Sequence, residues 1–250
     1  MKMTIETKPF IKALEKILLK GKYITSSGVK NAQLSNYAEI IVTDCIEIRN
    51  ADNSTAIKTI FHGEIEEQGT FITEIDKMIK YLKTMGEETA INSDDVIKLT
   101  STGKKVTLPM VVTHPYMSTI EMLCTPINFD ATLEESITYG KKDTPYNTAI
   151  QMMANDLIDA ITSCESVGSG IYEFNCDDSF VISSSLGAEK YSQEVTTINI
   201  KGDPATIDIS APIHKLFKNE VINLYMNDDV PITIISPTSF LVRAPRLTGN

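Results

Sequence analysis

An amphipathic pattern with a helical period opens the chain. Apolar residues recur three or four positions apart from Thr7 to Gly21, which predicts a helix capped by Thr7 with one buried stripe. The stripe consists of Phe10, Leu14, Ile17 and Leu18. Lysine recurs every four residues, and this spacing places the ammonium groups in one row along the helix. The row consists of Lys8, Lys12, Lys16 and Lys20.

A second amphipathic helix is predicted to begin near Thr73. Its core face is formed by Ile75, Met78, Ile79 and Leu82. Its lysines fall on a similar side to those of the first helix, and they are Lys77, Lys80 and Lys83. Both predicted helices of the first half therefore have an apolar face and a basic face.

Elsewhere the hydrophobic period changes to two, which is typical of strands. In the first half the pattern predicts strands over 38–49, 55–65, 96–99 and 105–112. In the second half it predicts helices over 148–164 and 211–218, and strands over 171–175, 180–185, 194–200, 221–226, 231–235 and 240–242. The predicted fold class is α+β.

The second half repeats the signals of the first in the same order. The segment 75–80 (IDKMIK) returns at 213–218 (IHKLFK), and each copy is followed by Asp-Asp-Val, at 94–96 and at 228–230. The helix segment 10–14 (FIKAL) likewise matches 157–161 (LIDAI). These repeats predict two related units in tandem, over 1–117 and 137–250, joined by a connector over 118–136. Apolar residues on the connector favour a docking surface or burial against the two units, and the pattern does not decide between them.

Charge is divided unevenly between the halves. Residues 1–118 contain 15 Lys+Arg and 15 Asp+Glu, whereas residues 119–250 contain 8 and 18, so the whole excess of 10 negative charges lies in the second half. An acidic protein of this kind binds nucleic acid only through a locally basic surface.

The four cysteines have no C-x-x-C spacing, which favours free thiols over a metal site. No apolar run is long enough to span a bilayer or to serve as a signal peptide, so an intracellular, soluble protein is expected.

Motifs of catalysis are absent from the sequence. There is no H-E-x-x-H, no G-x-S-x-G and no phosphate-binding G-x-x-x-x-G-K, and Gly168-x-Gly170 lacks the third glycine of a dinucleotide site. A duplicated α+β enzyme with a cleft between its halves stays a minor alternative. The pattern favours a non-enzymatic scaffold with no catalytic residue, metal or cofactor.

Several segments resemble one known family. The segment 226–232 (MNDDVPI), followed by 241–246 (LVRAPR), resembles the C-terminal strands of the proliferating cell nuclear antigen family of DNA sliding clamps. The segment 41–48 (IVTDCIEI) is similar to a strand and loop of clamps, including the bacterial β clamp. The resemblance implies two clamp domains with antiparallel sheets outside and two helices inside each, and a homotrimer that closes into a pseudo-sixfold ring around duplex DNA.

The resemblance also implies three groups of functional residues. The DNA-facing residues would be Lys8, Lys12, Lys16, Lys20, Lys77, Lys80, Lys83, Lys215 and Lys218. The pocket for peptides of partner proteins would be formed by Thr43, Cys45, Ile46, Leu123, Ile127, Pro231, Val242, Ala244 and Pro245. Because open sheet edges invite pairing with another chain, the subunit interface would use 105–111 and 179–185, with Val106, Leu108, Val111, Phe180, Val181 and Ile182.

The implied function is that of a DNA polymerase processivity factor in replication and repair. Its partners would be double-stranded DNA of any sequence, a polymerase, a clamp loader, and a nuclease or ligase that carries a clamp-binding peptide. It would lie in the cytoplasm or on the nucleoid, or in the nucleus of a eukaryotic host. Asp156 and Asp159 stand on the second long helix where the first has lysines, which leaves a heteromeric or non-ring clamp-like subunit as the alternative.

Overall fold

The computed structural model of the protein describes residues 1–25, 28–123, 138–139, 144–210 and 217–246. For 20–25, 28–34, 123, 138–139 and 144–145 it describes the backbone alone. The chain divides into two compact units. The first comprises Met1–Leu19 and Ser35–Glu121, and the second comprises Lys20–Leu34 and Met122–Asn250.

Short helices are interspersed among many strands. The described helices are α1 (Thr7–Ile17), α2 (Ile75–Leu82), α3 (Met117–Leu123) and α4 (Ala154–Glu165). The strands as far as α3 are β1 (Lys2–Glu6), β2 (Leu19–Thr25), β3 (Gly28–Ser35), β4 (Tyr37–Val42), β5 (Ile46–Ala51), β6 (Thr55–Phe61), β7 (Glu64–Glu67), β8 (Gly69–Glu74), β9 (Glu88–Ser93), β10 (Val96–Ser101) and β11 (Lys104–Pro109). Those that follow are β12 (Thr138–Tyr139), β13 (Thr144–Pro145), β14 (Thr148–Met153), β15 (Ile171–Cys176), β16 (Phe180–Leu186), β17 (Glu189–Glu194), β18 (Thr197–Gly202), β19 (Ala205–Ser210), β20 (Val221–Met226), β21 (Ile232–Ile235) and β22 (Ser239–Arg243).

The strand order of the first unit is repeated in the second. In the first unit five strands pair in the order β11-β10-β9-β1-β7, and four pair in the order β6-β5-β4-β8. In the second unit the corresponding orders are β22-β21-β20-β14-β18 and β17-β16-β15-β19. The strand pairs within these rows are antiparallel. The sequence repeat therefore reflects a duplicated structural unit, as predicted.

Each unit encloses its own hydrophobic core between helices and strands. In the first unit the apolar stripe of α1 is fully buried at Phe10 and Leu14, and α2 buries Met78 and Leu82. In the second unit α4 contributes Ala160 and Ile161 to a cluster that also contains side chains of the surrounding strands. Amphipathic helices of this length depend on such packing, because an isolated helix of about 12 residues is marginal in water.

Two helix boundaries differ from the prediction. The first helix ends at Ile17 and β2 begins at Leu19, so the placement of Lys20 on the helix face was wrong. The Asn50 side chain donates a hydrogen bond from Nδ2 to the Ile17 carbonyl oxygen (2.8 Å) and so satisfies the end of the helix. In the second unit, Thr148–Met153 is strand β14 and not helix, because it pairs with β18 on one side and β20 on the other.

The strand predicted over 55–65 is also interrupted. It divides into β6 and β7 around Gly63, and β7 pairs with β1. A Cβ atom at Gly63 would lie 2.8 Å from the Thr4 carbonyl oxygen, so only glycine fits this close approach. The predicted helix over 211–218 lies mainly outside the described residues.

Candidate functional site

A lysine-bearing surface covers helices α1 and α2 of the first unit. Lys8 and Lys12 are exposed on α1 and Lys16 is half-buried, and their spacing of four residues keeps them on one side of the helix. Lys77 and Lys80 are exposed on α2, and Lys83 is exposed directly after its last residue. Because α1 packs against α2, the two groups of lysines belong to one surface.

Carboxylates in this surface offset only part of its charge. Lys83 Nζ lies 3.3 Å from Glu15 Oε1, and this ion pair joins the end of α2 to α1. Lys77 Nζ lies 3.2 Å from Glu74 Oε2. Exposed pairs of this kind contribute at most about 1 kcal/mol and remain open to competition by other anions. Six ammonium groups against four carboxylates, those of Glu6, Glu15, Glu74 and Asp76, leave a net positive face that suits phosphate groups without reading a base sequence.

Helix α4 occupies in the second unit the position that α1 occupies in the first. Each helix follows the fourth strand of its row of five, and its first amide donates to the residue that precedes the third strand. These hydrogen bonds run from Thr7 N to Glu87 O (2.8 Å) and from Ala154 N to Glu220 O (2.9 Å). The alignment brings Asn155, Asp159 and Ser163 to the positions of Lys8, Lys12 and Lys16. Lys218 is exposed, and Lys215 lies outside the described residues.

The predicted peptide-pocket residues fall into two groups, one in each unit. In the first unit Thr43 is exposed and Cys45 is half-buried in the turn between β4 and β5, and burial raises the pKa of the Cys45 thiol, which opposes formation of the reactive thiolate. In the second unit Pro231, Ala244 and Pro245 are half-buried beside β21 and β22.

For two residues of the predicted pocket, the expectation that their side chains line the surface was wrong. Ile46 and Val242 are fully buried, so neither offers a contact to a ligand in this structure. Val242 lies opposite Thr233, which bonds to the buried Tyr146 hydroxyl (2.6 Å between the oxygens). The Leu123 side chain and the whole of Ile127 lie outside the described residues.

The predicted subunit edges need one correction. Strand β11 pairs only with β10 among the described strands, which agrees with its prediction as an edge. Along this segment Val106 is half-buried, Leu108 is buried and Val111 forms a bridge to Ile72. The segment 179–185 was wrongly predicted as an edge, because β16 pairs with both β15 and β17. Phe180 and Ile182 are fully buried in the core and Val181 is half-buried.

The edge in this part of the second unit is β17. This strand (EKYSQE) pairs only with β16 among the described strands, and most of its residues are exposed or half-exposed on both faces. Sequence reasoning missed it because a strand without a buried face has no apolar alternation. The available signal in the sequence was Gly187, which adopts a φ of +62° in the turn before this strand.

Other kinds of site have little support in the described part of the chain. There, no three His, Cys, Asp or Glu side chains come together in a way that would hold a metal ion. The helices found there are all too short or too polar to cross a lipid bilayer.

These two units of five plus four antiparallel strands, each with a long helix after the same strand, define the sliding-clamp fold. No protein-family model and no curated protein matches the sequence. Among solved structures, the chain matches Archaeoglobus fulgidus PCNA bound to the C-terminal region of FEN-1, with 14% identity, a TM-score of 0.68, and coverage of 100% of this chain and 99% of that one.

Bacterial clamps match as well. The β subunit of Thermotoga maritima DNA polymerase III is 13% identical with a TM-score of 0.74, and the match covers 99% of this chain and 66% of that one. The Helicobacter pylori β clamp bound to a DNA ligase peptide is 12% identical with a TM-score of 0.67, and this chain covers 67% of it. The chain thus spans about two thirds of the bacterial proteins and nearly the whole of the archaeal one. It has the α+β fold of the sliding clamps, as the resemblance implied.

Proposed function

We propose that this protein is a sliding clamp, a processivity factor that encircles duplex DNA and tethers replication and repair enzymes to it. The observation that carries the proposal is the lysine surface of α1 and α2 on a duplicated clamp fold. Contacts to phosphate carry no sequence information, so they permit movement along the duplex. The role is that of a scaffold and needs no catalytic group.

The ring proposed here is a homotrimer of two-domain subunits, with domains over 1–117 and 137–250 and a connector over 118–136. Strands β11 and β17 are the proposed subunit edges. The exposed Lys104 and Lys105 on β11 complement Glu189 and Glu194 on β17, and pairing would remove two open sheet edges. The proposal replaces β16 by β17 in this role.

The proposed partners are a polymerase, a clamp loader, and a nuclease or ligase that docks through a short peptide. Similar clamps have been solved with the C-terminal region of FEN-1 and with a DNA ligase peptide, which supports this choice. Such partners place the protein wherever DNA is copied, in the cytoplasm or on the nucleoid, or in the nucleus of a eukaryotic host.

Topological retention tests the proposed function. Protein loaded on nicked circular DNA should stay bound after a wash at about 1 M salt, where the Debye length of about 3 Å suppresses phosphate contacts. Cutting the circle should release it, because a ring slides off an end. The measurement is co-elution of protein with DNA on gel filtration before and after linearisation. Equal loss from the circle and from linear DNA would refute encirclement.

Peptide binding tests the proposed docking role separately. A fluorescein-labelled C-terminal peptide of A. fulgidus FEN-1 should bind saturably in fluorescence anisotropy. Ala244→Glu should weaken binding at least about tenfold, because a carboxylate in an apolar groove stays unpaired and costs about 1.4 kcal/mol or more. Thr238→Glu is the matched control, since it adds the same charge at an exposed turn of the same unit. Equal binding by both variants would exclude Ala244 from the docking site.

A further inference from the structure

Helices α1 and α4 have equivalent positions but opposite charge. Each follows the fourth strand of a five-strand row, and the matching hydrogen bonds of Thr7 and Ala154 set the same starting point. Counting from these two residues, Lys12 corresponds to Asp159. Both side chains are exposed on their helices, so the exchange reverses a surface charge and does not alter a core contact.

The loss of positive charge extends beyond one position. The other two lysines of the α1 row correspond to Asn155 and Ser163. From Lys142 to Lys190 the sequence contains no intervening lysine or arginine, although it contains eight Asp and Glu residues. Helix α4 therefore has no cationic side chain that could form an ion pair with Asp159.

No contact with the described part of the chain gives Asp159 a role in folding. Asp156 lies in the first turn of α4, where a carboxylate stabilises the helix dipole. Asp159 lies a turn further along, where this effect is weak, and it forms no salt bridge or hydrogen bond with the described residues. Lys12 likewise has no salt bridge among them. These two residues can be exchanged with little expected effect on stability.

We propose that α4 faces the duplex as α1 does but makes no phosphate contact, and that Asp159 limits the affinity of this protein for DNA. The inference rests on the proposed function and deepens it. Lysine on α1 displaces counterions from phosphate, whereas the Asp159 carboxylate repels the same phosphates. The duplex is therefore held by the first unit of each subunit more strongly than by α4.

A charge exchange, in which the double variant keeps the net charge of the wild type, tests this inference on the full-length protein. The variants are Lys12→Asp, Asp159→Lys, and the double variant that carries both. Binding of a fluorescent 40-base-pair duplex is measured by anisotropy over a series of salt concentrations. The slope of log K against log salt is negative. Lys12→Asp should reduce its magnitude by about 1 per contacting subunit, and Asp159→Lys should increase its magnitude by about 1. The double variant should return to the slope of the wild type.

Two control substitutions remove charge away from the helices. Lys98→Gln lies on β10, and Asp178→Asn lies in the exposed turn between β15 and β16. Neither should change the slope. Comparable changes at these sites would show that net charge, and not the helix faces, determines binding, and would overturn the inference.

The remaining outcomes distinguish a failure of this inference from a failure of the proposed function. If Lys12→Asp reduces the magnitude of the slope but the double variant does not restore it, α4 does not face the duplex and the inference alone fails. If the wild type binds without salt dependence and Lys12→Asp changes nothing, the lysine surface does not contact DNA. In that case the proposed function fails as well.

Discussion

Of two proline substitutions at neighbouring positions of β11, one should leave the chain folded and monomeric, while the other should unfold the first unit. The pair is Val106→Pro and Thr107→Pro. Val106 lies opposite Leu99 and Thr107 opposite Lys98 in the ladder with β10. Successive opposed pairs in an antiparallel ladder alternate between hydrogen-bonded and non-hydrogen-bonded, so one of the two N–H groups points to β10 and the other points away.

Proline removes whichever N–H it replaces. If the lost N–H donates to β10, the substitution destabilises the fold of the first unit. If it points outward, the substitution prevents assembly, because the proposed subunit contact needs that donor. Light scattering should therefore show one folded variant near the 27.6 kDa of a single chain, whereas the proposed trimer of the wild type should have about three times this mass. Circular dichroism distinguishes the folded variant from the unfolded one.

The matched control lies on β16. Val181→Pro and Ile182→Pro should both destabilise the second unit, because this strand is paired on both sides and has no outward N–H. A folded monomer from either of them would restore β16 as the subunit edge. Two folded trimers from the β11 pair would exclude β11 from the interface.

The difference between β16 and β17 illustrates what a sequence can reveal about an edge. Strand β16 was recognised because it places Phe180 and Ile182 in a buried core, but its pairing with both β15 and β17 makes it an interior strand. Strand β17 is exposed enough to bind another chain, and this exposure removes the alternation by which strands are recognised. Prediction from periodicity therefore failed at β17, whereas it found the edge strand β11, in which Leu108 is buried.

The duplicated order of elements and the basic faces of α1 and α2 could be predicted, because both depend on local spacing. The error at Thr148–Met153 has the opposite origin. Ala, Gln and Met favour helix on their own, but this segment is flanked by two strands that it must pair with. The burial of Ile46 and Val242 was equally hidden, since apolar side chains that line a pocket and apolar side chains of a core have the same sequence pattern.

The end of α1 depends on a contact that no local pattern shows. Asn50, fully buried, is 33 positions away from Ile17, whose carbonyl it caps. Its Oδ1 accepts a hydrogen bond from Ser35 Oγ (2.6 Å) and another from His114 Nε2 (3.2 Å). One amide thus links the lysine-bearing helix to the segment that enters α3.

The protonation state of His114 follows from its neighbours. Nδ1 accepts from the Tyr116 amide (3.0 Å), so Nε2 carries the proton that it shares between Asn50 Oδ1 and the Tyr37 carbonyl oxygen (3.3 Å). A second proton would have to enter at Nδ1, against the Tyr116 N–H. Burial lowers the pKa of His114 below its ordinary value of 6.5, in agreement with this geometry.

Replacing Asn50 by alanine should reduce the free energy of unfolding by about 2–4 kcal/mol, because the Ile17 carbonyl, the Ser35 hydroxyl and His114 Nε2 all lose a buried partner. Urea denaturation followed by circular dichroism measures the loss. Asn199→Ala on β18 removes the same group from an exposed position and should change stability little. Equal effects of the two substitutions would show that the buried network does not stabilise the first unit.

The free energy of unfolding should also decrease as pH decreases, because of His114. Because its folded pKa is lowered, the unfolded chain binds a proton below about pH 6.5 that the folded chain does not. The unfolding free energy therefore decreases by up to about 1.4 kcal/mol per pH unit as pH falls from 6.5 towards the lowered pKa. His114→Gln keeps a side-chain donor but does not titrate, so its difference from the wild type should shrink as pH falls. Glu39, whose pKa is raised by burial, changes stability in the opposite direction but equally in both proteins. A constant difference between pH 7.5 and 5.5 would mean that His114 does not stay neutral in the folded protein.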